Sequence, residues 1–103
     1  MKHMTLRTVD GATLTISKIV LGSSSLHTIW RTLGEEETFA YIDRYRALGG
    51  DTGDTGRTYG GEMDQISFGL CESIISRYMK SRHCEDSFHV ITKGGFPDLD
   101  PRD

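Results

Sequence analysis

The alternation of short apolar runs with longer stretches of helical periodicity constrains the fold of this chain more than any other feature. Two runs, at residues 18–21 and 88–92, are rich in branched apolar residues and are typical of strands buried on both faces. Residues 35–48 and 62–82 instead carry apolar side chains at helical spacing. Strands that alternate with helices of this length predict an α/β fold with βαβ units, a parallel sheet and right-handed crossovers.

Two further segments are assigned from turn residues and from their place in this order. Asp10-Gly11 lies between two short β-favouring runs and suits the positive φ angles of a two-residue type I′ turn, so we predict an amino-terminal hairpin. Residues 51–61 contain four glycines in eleven positions, which is a poor composition for a strand. We still predict a strand there, because the alternation needs one between the two helices.

The first helix has signals at both ends. Thr32 and Glu35 have the spacing of a capping box, and Gly49-Gly50 is typical of a helix end. Residues 24–34 are therefore expected to form a loop, in which Trp30 covers apolar surface. The helical side chains that fall on one half of the circumference are those of Phe39, Tyr41, Ile42, Tyr45 and Leu48.

Length and composition exclude several classes of protein. The 103 residues form one domain or part of one, and a net charge of −3 is unsuited to binding nucleic acid. No apolar run approaches the ~20 residues that cross a bilayer, and the amino end lacks the apolar core of a signal peptide. Cys71 and Cys84 have no CxxC partner, so we expect free thiols in a reducing, cytoplasmic compartment.

Metal binding is not expected either. Residues 51–62 have part of the spacing of an EF-hand loop, but Gly53 at the third position offers no side-chain oxygen. Residues 83–86 contain four potential ligands in a row, and contiguous residues seldom surround one ion.

Chemically competent residues follow the predicted strands at their carboxyl ends. Gly22-Ser23-Ser24 follows the first parallel strand, residues 54–59 follow the second, and a lysine ends the third. Because the carboxyl ends of parallel strands meet at one edge of a sheet, we expect a carboxylate, a phenol and an amine to lie together there. A cationic lysine lowers the pKa of a neighbouring phenol, which suits proton transfer, whereas turn residues beside a solvated lysine are the alternative. The three residues are Asp54, Tyr59 and Lys93.

The same segments resemble a known family. Residues 47–60, with Ala47-Leu48-Gly49 and a later Asp-Thr-Gly-Arg-Thr-Tyr-Gly, resemble the pattern A-L-G-x-x-x-x-D-T-A-x-x-Y-G. Residues 71–82 are similar to S-E-x-I-I-G-x-W-L-K-x-R, residues 19–23 resemble the family's first strand, and residues 90–94 resemble its third strand with its lysine. The matches run in order from about residue 5 to 95. The chain therefore resembles the amino-terminal part of an aldo-keto reductase.

The resemblance implies a fold and an activity. The fold would be the amino-terminal part of a (β/α)8 TIM barrel, with residues 1–103 as a single partial domain that spans about a third of a ~250-residue barrel. The activity would be that of an oxidoreductase that uses NADPH to reduce a small aldehyde or ketone. Tyr59 would match the general acid, Lys93 the residue that makes its phenol more acidic, and Asp54 the partner of that lysine. The residues matched to the nicotinamide end of the cofactor are Gly22, Ser23, Ser24 and Asp54, and those matched to the substrate are Trp30 and Tyr59.

The chain also departs from the family pattern. Residues 50–53 are glycine-rich where the family has apolar strand residues, so Gly53→Phe is expected to stabilise a complete barrel. The segment between Tyr59 and Cys71 is longer than in the family, and Ser76 replaces a glycine. The catalytic histidine of the family follows a fourth strand that these 103 residues do not reach, so this chain alone is expected to be inactive.

A function of another class remains open. A partial α/β unit has open sheet edges, and through them it could act as a non-enzymatic module that pairs with a second copy or with a partner chain.

Overall fold

The computed structural model describes residues 1–59 and 69–93. Predictions for the start of the second helix and for the carboxyl-terminal tail fall on residues 60–68 and 94–103 and lie outside the described residues. In chain order, the elements are β1 (His3–Arg7), β2 (Thr13–Ser17), β3 (Leu21–Gly22), α1 (Leu26–Ala47), β4 (Thr52–Asp54), α2 (Leu70–Arg82) and β5 (His89–Ile91).

The strands form two sheets. β1 and β2 pair as an antiparallel hairpin, and β3, β4 and β5 form a parallel sheet in the order β3-β4-β5. The α/β class and the parallel sheet are therefore confirmed. The glycine-rich segment does form the central strand, in which Gly53 lies between Leu21 and Val90.

The hairpin turn differs from the predicted one. The Thr8 N–H donates to the Ala12 carbonyl at 2.8 Å, which leaves a three-residue loop instead of the predicted two-residue type I′ turn. Only Gly11 has a positive φ, of 87°, as in a type I turn closed by a left-handed residue. Asp10 explains the difference, because its carboxylate accepts from the Thr8 hydroxyl and from the Ala12 N–H and so stabilises the longer loop.

The first parallel strand is shorter than expected. β3 consists of two residues, and Ile19, which was predicted to be buried, is 64% exposed. The carbonyl of Ile19 instead accepts a hydrogen bond from the Tyr45 hydroxyl at 2.6 Å. The same hydroxyl contacts Ser17 Oγ at 2.9 Å and accepts from the Thr52 N–H at 3.3 Å. Tyr45 thus ties α1 to the hairpin and to β4.

The predicted loop at residues 24–34 is wrong from Leu26 onward, because α1 begins there. Leu26 is buried and Ile29 and Trp30 pack against the core, so tertiary contacts stabilise the helix before its predicted start. Gly34, at φ 89° and ψ −177°, kinks α1 at this point. The capping box is also wrong, since the Thr32 hydroxyl donates to the Thr28 carbonyl within the helix.

The core lies between the two helices and one face of the parallel sheet. Phe39 packs edge-on against Tyr78 with ring centroids 5.3 Å apart, and Tyr78 contacts Phe88 at 6.1 Å. Tyr41 and Leu48, expected in this core, are instead 51% and 58% exposed, because they lie beside the outer edge of β3, where no described strand continues the sheet. The buried cluster comprises Leu26, Phe39, Ile42, Tyr45, Ile74, Ile75, Tyr78, Cys84 and Phe88.

A polar network joins the two helices beside this core. The Tyr78 hydroxyl donates to Asp43 Oδ1 at 2.6 Å, and Arg82 contacts both oxygens of Asp43, at 3.0 and 2.9 Å. Arg46 donates to the Tyr78 hydroxyl at 3.2 Å. The buried phenol is therefore fully hydrogen-bonded between α1 and α2.

Cys71 and Cys84 form no disulfide, as predicted, and both side chains are buried. Neither helix, over its described residues, combines the length and the apolar composition needed to cross a bilayer.

Candidate active site

The carboxyl ends of the three parallel strands lie side by side. Gly22 is paired in register with Asp54, and Asp54 with Ile91. Hydrogen bonds continue just beyond the strands, from the Ser23 N–H to the Asp54 carbonyl at 3.0 Å and from the Thr55 N–H to the Ile91 carbonyl at 2.7 Å. The predicted meeting of the strand ends at one edge of the sheet is therefore confirmed.

Lys93 and Asp54 form an ion pair at this edge. Lys93 Nζ donates to Asp54 Oδ1 at 2.6 Å and to the carbonyl oxygen of Thr55 at 2.7 Å. The two side chains are 41% and 36% exposed, so the pair is open to solvent and to a small ligand. The ammonium group is thus oriented by two acceptors, one in β4 and one in the residue that follows β4.

Tyr59 completes the group of three. Its ring faces Lys93, with Nζ 4.7 Å from the ring centroid, which is within the range of a cation–π contact. A turn brings the ring back toward the sheet, because the Tyr59 N–H donates to the Gly56 carbonyl at 3.1 Å. The structure therefore brings together the carboxylate, the amine and the phenol that the sequence predicted to be neighbours.

The charge of the lysine is stabilised in this arrangement. The hydrogen bond to Asp54 raises the pKa of Lys93 above its ordinary value, and the Tyr59 hydroxyl adds to the effect in the same direction. Lys93 is therefore cationic at neutral pH.

The predicted cofactor-binding residues lie beside this group. Gly22 has open space where a Cβ would project, and it is the neighbour of Asp54 in the sheet. Ser23 is fully buried, and its hydroxyl has no hydrogen-bond partner among the described residues. Ser24 follows it as an exposed residue ahead of α1.

Trp30 lies in α1 and contacts helix residues. Its ring is 6.4 Å from that of Phe39, and the guanidinium of Arg77 on α2 lies 5.8 Å from its centroid. Packing across the kink of α1 and against α2 accounts for these contacts. A substrate-binding role of Trp30 stays a prediction.

The described residues contain no group of three or more His, Cys, Asp or Glu side chains that could hold a metal ion. Asp51, the first position of the EF-hand-like segment, binds the hairpin instead: its carboxylate accepts from the Ser17 N–H at 2.8 Å and from the Thr52 hydroxyl at 2.8 Å. The last position of that segment, residue 62, lies outside the described residues.

The first turn of α2 is a part of the site that sequence reasoning missed. Glu72 Oε2 accepts a hydrogen bond of 2.6 Å from the hydroxyl of Thr92, the residue before Lys93. The Cys71 N–H donates to the Tyr59 carbonyl at 3.3 Å, and the Gly69 N–H to the Arg57 carbonyl at 2.6 Å. The only sequence signal for this arrangement is a glutamate at position 72, in the middle of the helical stretch predicted for residues 62–82.

The chain matches no model of a protein family, and no curated protein matches it significantly.

Proposed function

We propose that this chain carries the proton-donating part of a carbonyl-reducing site of the aldo-keto reductase type, in which NADPH reduces a small aldehyde or ketone. One observation supports this above all others: Lys93 Nζ binds Asp54 at 2.6 Å while it faces the Tyr59 ring at 4.7 Å. Carbonyl reduction by a hydride needs a proton at the carbonyl oxygen, and a phenol beside a fixed cation can donate one.

Each of the three residues has a distinct part in this proposal. Tyr59 donates its hydroxyl proton to the carbonyl oxygen as negative charge develops there. Lys93 stabilises the resulting phenolate, and Asp54 together with the Thr55 carbonyl keeps the ammonium in place. A carboxylate so close to the ammonium also keeps the lysine protonated when the phenol ionises.

The residues beside this group fit the nicotinamide end of the cofactor. Because Gly22 has no side chain, there is room for a flat ring next to Asp54. The buried hydroxyl of Ser23, which has no hydrogen-bond partner among the described residues, offers a group that can bind the cofactor. Gly22, Ser23, Ser24 and Asp54 are the residues that would hold it. When bound, the cofactor supplies the hydride.

The topology supports the proposal that this fold is the first part of a (β/α)8 barrel. Three parallel strands in sequential order, with a helix after each of the first two, are the repeating unit of such a barrel. The hairpin is bound at the start of β4, through the Ser17 N–H and the Asp51 carboxylate, and so lies away from the carboxyl ends. Active sites of such barrels are built at the carboxyl ends of the strands, where the Lys93 group lies.

The experiment uses a complete barrel whose amino-terminal part is residues 1–93 of this chain and measures NADPH-dependent reduction of a panel of small aldehydes and ketones. Tyr59→Phe should lower the rate by about 10²–10⁴-fold, the usual contribution of a general acid. Tyr41→Phe, at an exposed tyrosine of α1, is the matched control and should keep the rate. A parent barrel that reduces no carbonyl compound would contradict the proposal, as would a Tyr59→Phe variant at the parent rate.

Assembly through the sheet edges is the second candidate, and charge complementarity favours a second copy of this chain as the partner. An apolar cleft beside β3, lined by Leu21 and Tyr41, is bordered by Arg44. The cleft beside β5 contains Val90 and is lined by two glutamates, Glu72 and Glu85, and one lysine, Lys80, so its net charge is negative. The β3 edge of one copy could therefore continue the β5 edge of another, head to tail.

Sedimentation velocity of the 103-residue chain at several concentrations distinguishes this candidate. Arg44→Glu should weaken association, and the double variant Arg44→Glu/Glu85→Arg should restore it. A chain that remains monomeric at all concentrations excludes the second candidate and leaves the first unaffected.

A further inference from the structure

We infer that Glu72 is a positioning residue, whose hydrogen bond to Thr92 fixes Lys93 against the ring of Tyr59. This inference rests on the proposed function, because it assigns Glu72 a part in preparing the same proton-donating group. It concerns a residue that touches none of the three chemical groups directly.

Lys93 and Tyr59 belong to separate segments of the chain. Tyr59 lies in the turn after β4, whereas Lys93 lies two residues beyond the end of β5. The backbone link between these segments is long, with the Arg57 N–H 3.4 Å from the Lys93 carbonyl. A further contact is therefore needed to fix the distance between the side chains of Lys93 and Tyr59.

The first turn of α2 supplies that constraint, because it binds both segments. On one side, the N–H groups of Gly69 and Cys71 donate to the carbonyls of Arg57 and Tyr59. On the other side, the Glu72 carboxylate accepts from the Thr92 hydroxyl at 2.6 Å. A hydrogen bond to a carboxylate is short and strong, so one rigid helical turn holds both ends of the Lys93–Tyr59 contact.

The existing contacts of Lys93 do not make this constraint redundant. Asp54 and the Thr55 carbonyl fix the ammonium relative to β4, but both lie before the turn that carries Tyr59. Among the described residues, the α2 turn binds both the backbone of Tyr59 and the residue next to Lys93. Removal of the Glu72 carboxylate should therefore move Lys93 relative to the ring while the ion pair with Asp54 persists.

The test uses proton NMR of the 103-residue chain, with the ε-methylene protons of Lys93 as the reporter. Protons held over an aromatic face are displaced upfield by the ring current, and Tyr59→Leu should abolish that displacement. Glu72→Ala should move the Lys93 signal toward the position it takes in Tyr59→Leu. Thr92→Val, which removes the other partner with little change in shape, should do the same. Glu72→Gln keeps an acceptor for the Thr92 hydroxyl and should retain the displacement.

Glu36→Ala is the control for the loss of a glutamate, since Glu36 is an exposed residue of α1. It should leave the Lys93 signal unchanged. The inference is overturned if Glu72→Ala or Thr92→Val folds, as judged by circular dichroism, and leaves the Lys93 signal at the parent position. The inference is also overturned if the Lys93 signal has the same position in Glu72→Gln as in Glu72→Ala.

The outcomes separate this inference from the proposed function. A Lys93 signal that does not respond to Tyr59→Leu contradicts the contact on which both depend. The Lys93 signal could instead respond to Glu72→Ala as expected while the complete barrel reduces no carbonyl compound. That combination supports the positioning role and contradicts only the proposed reaction.

Discussion

Gly50 and Tyr45 fit together because the glycine has no side chain. A Cβ at position 50 would overlap the carbon atoms of the Tyr45 ring. The ring needs this position, since its hydroxyl binds Ile19, Ser17 and Thr52 at the start of the sheet. A glycine at the end of α1 thus allows a tyrosine to join the helix, the hairpin and the central strand.

Gly50→Ala is therefore expected to destabilise the chain, by about 1–3 kcal/mol, the usual cost of overpacking a core. The physical cause is displacement of the Tyr45 ring and loss of its hydrogen bonds. The measurement is the free energy of unfolding from urea denaturation. Gly22→Ala is the control, because nothing lies within 4 Å of its Cβ position. An equal free energy of unfolding for Gly50→Ala and Gly22→Ala would contradict this account of Tyr45.

Gly53→Phe is expected to destabilise the chain, which reverses the expectation from the sequence. A Cβ at position 53 would lie 3.2 Å from the Phe88 ring and 3.5 Å from Ile75, so Phe88 already occupies the space that a side chain on β4 would fill. Placing a second ring there should cost about 1–3 kcal/mol or more.

The double variant Gly53→Phe/Phe88→Ala tests this explanation, because it moves the ring from the residue before β5 to β4 without adding volume. It should recover part of the lost stability relative to Gly53→Phe alone, again measured by urea denaturation. If the double variant loses as much stability as the two single variants together, the two positions do not share the same space.

Acidic pH is expected to weaken the link between α1 and α2. The hydrogen bond from Arg82 holds the pKa of Asp43 below its usual value, with a smaller contribution from the Tyr78 hydroxyl. A carboxyl whose folded-state pKa is depressed contributes stability above its unfolded pKa and loses it as the pH falls through the folded value. The free energy of unfolding should therefore decrease as the pH falls below about 4.

Asp43→Asn isolates this contribution. The amide does not titrate, so the variant should be less stable than the parent at pH 6 and should show a smaller decrease in stability between pH 6 and pH 2. A variant with the same pH dependence as the parent would show that other carboxyl groups account for it.

The sequence predicted those parts of the fold that follow from periodicity and strand order. The helical pattern after residue 35, the parallel sheet and the meeting of Asp54 with Lys93 follow from apolar spacing and from the geometry of parallel strands. The start of α1 could not be predicted in this way, because the helix before Gly34 depends on packing of Leu26 and Ile29 against residues distant in sequence.

The sequence also could not predict that a side chain from one segment fills the space beside a glycine of another segment. Glycine at position 53 contributes no side chain to the core, but Phe88 of the neighbouring segment fills the space beside it. The type of hairpin turn depended on the Asp10 carboxylate, which binds backbone and side-chain groups on both sides of the turn. The contact between Glu72 and Thr92 joins a helix to a strand end, and no local pattern encodes it.

The central claim, that Tyr59 and Lys93 act as one proton-donating unit, is tested most directly by a double-mutant cycle on carbonyl reduction in a complete barrel that contains residues 1–93. Tyr59→Phe and Lys93→Met should each lower kcat/KM by about 10²–10⁴-fold, and the double variant should be little slower than either single variant. Binding of NADPH, followed by fluorescence, should survive in Tyr59→Phe. Rates that fall multiplicatively in the double variant, or a Tyr59→Phe variant with the parent rate and an unchanged pH profile, would contradict the claim.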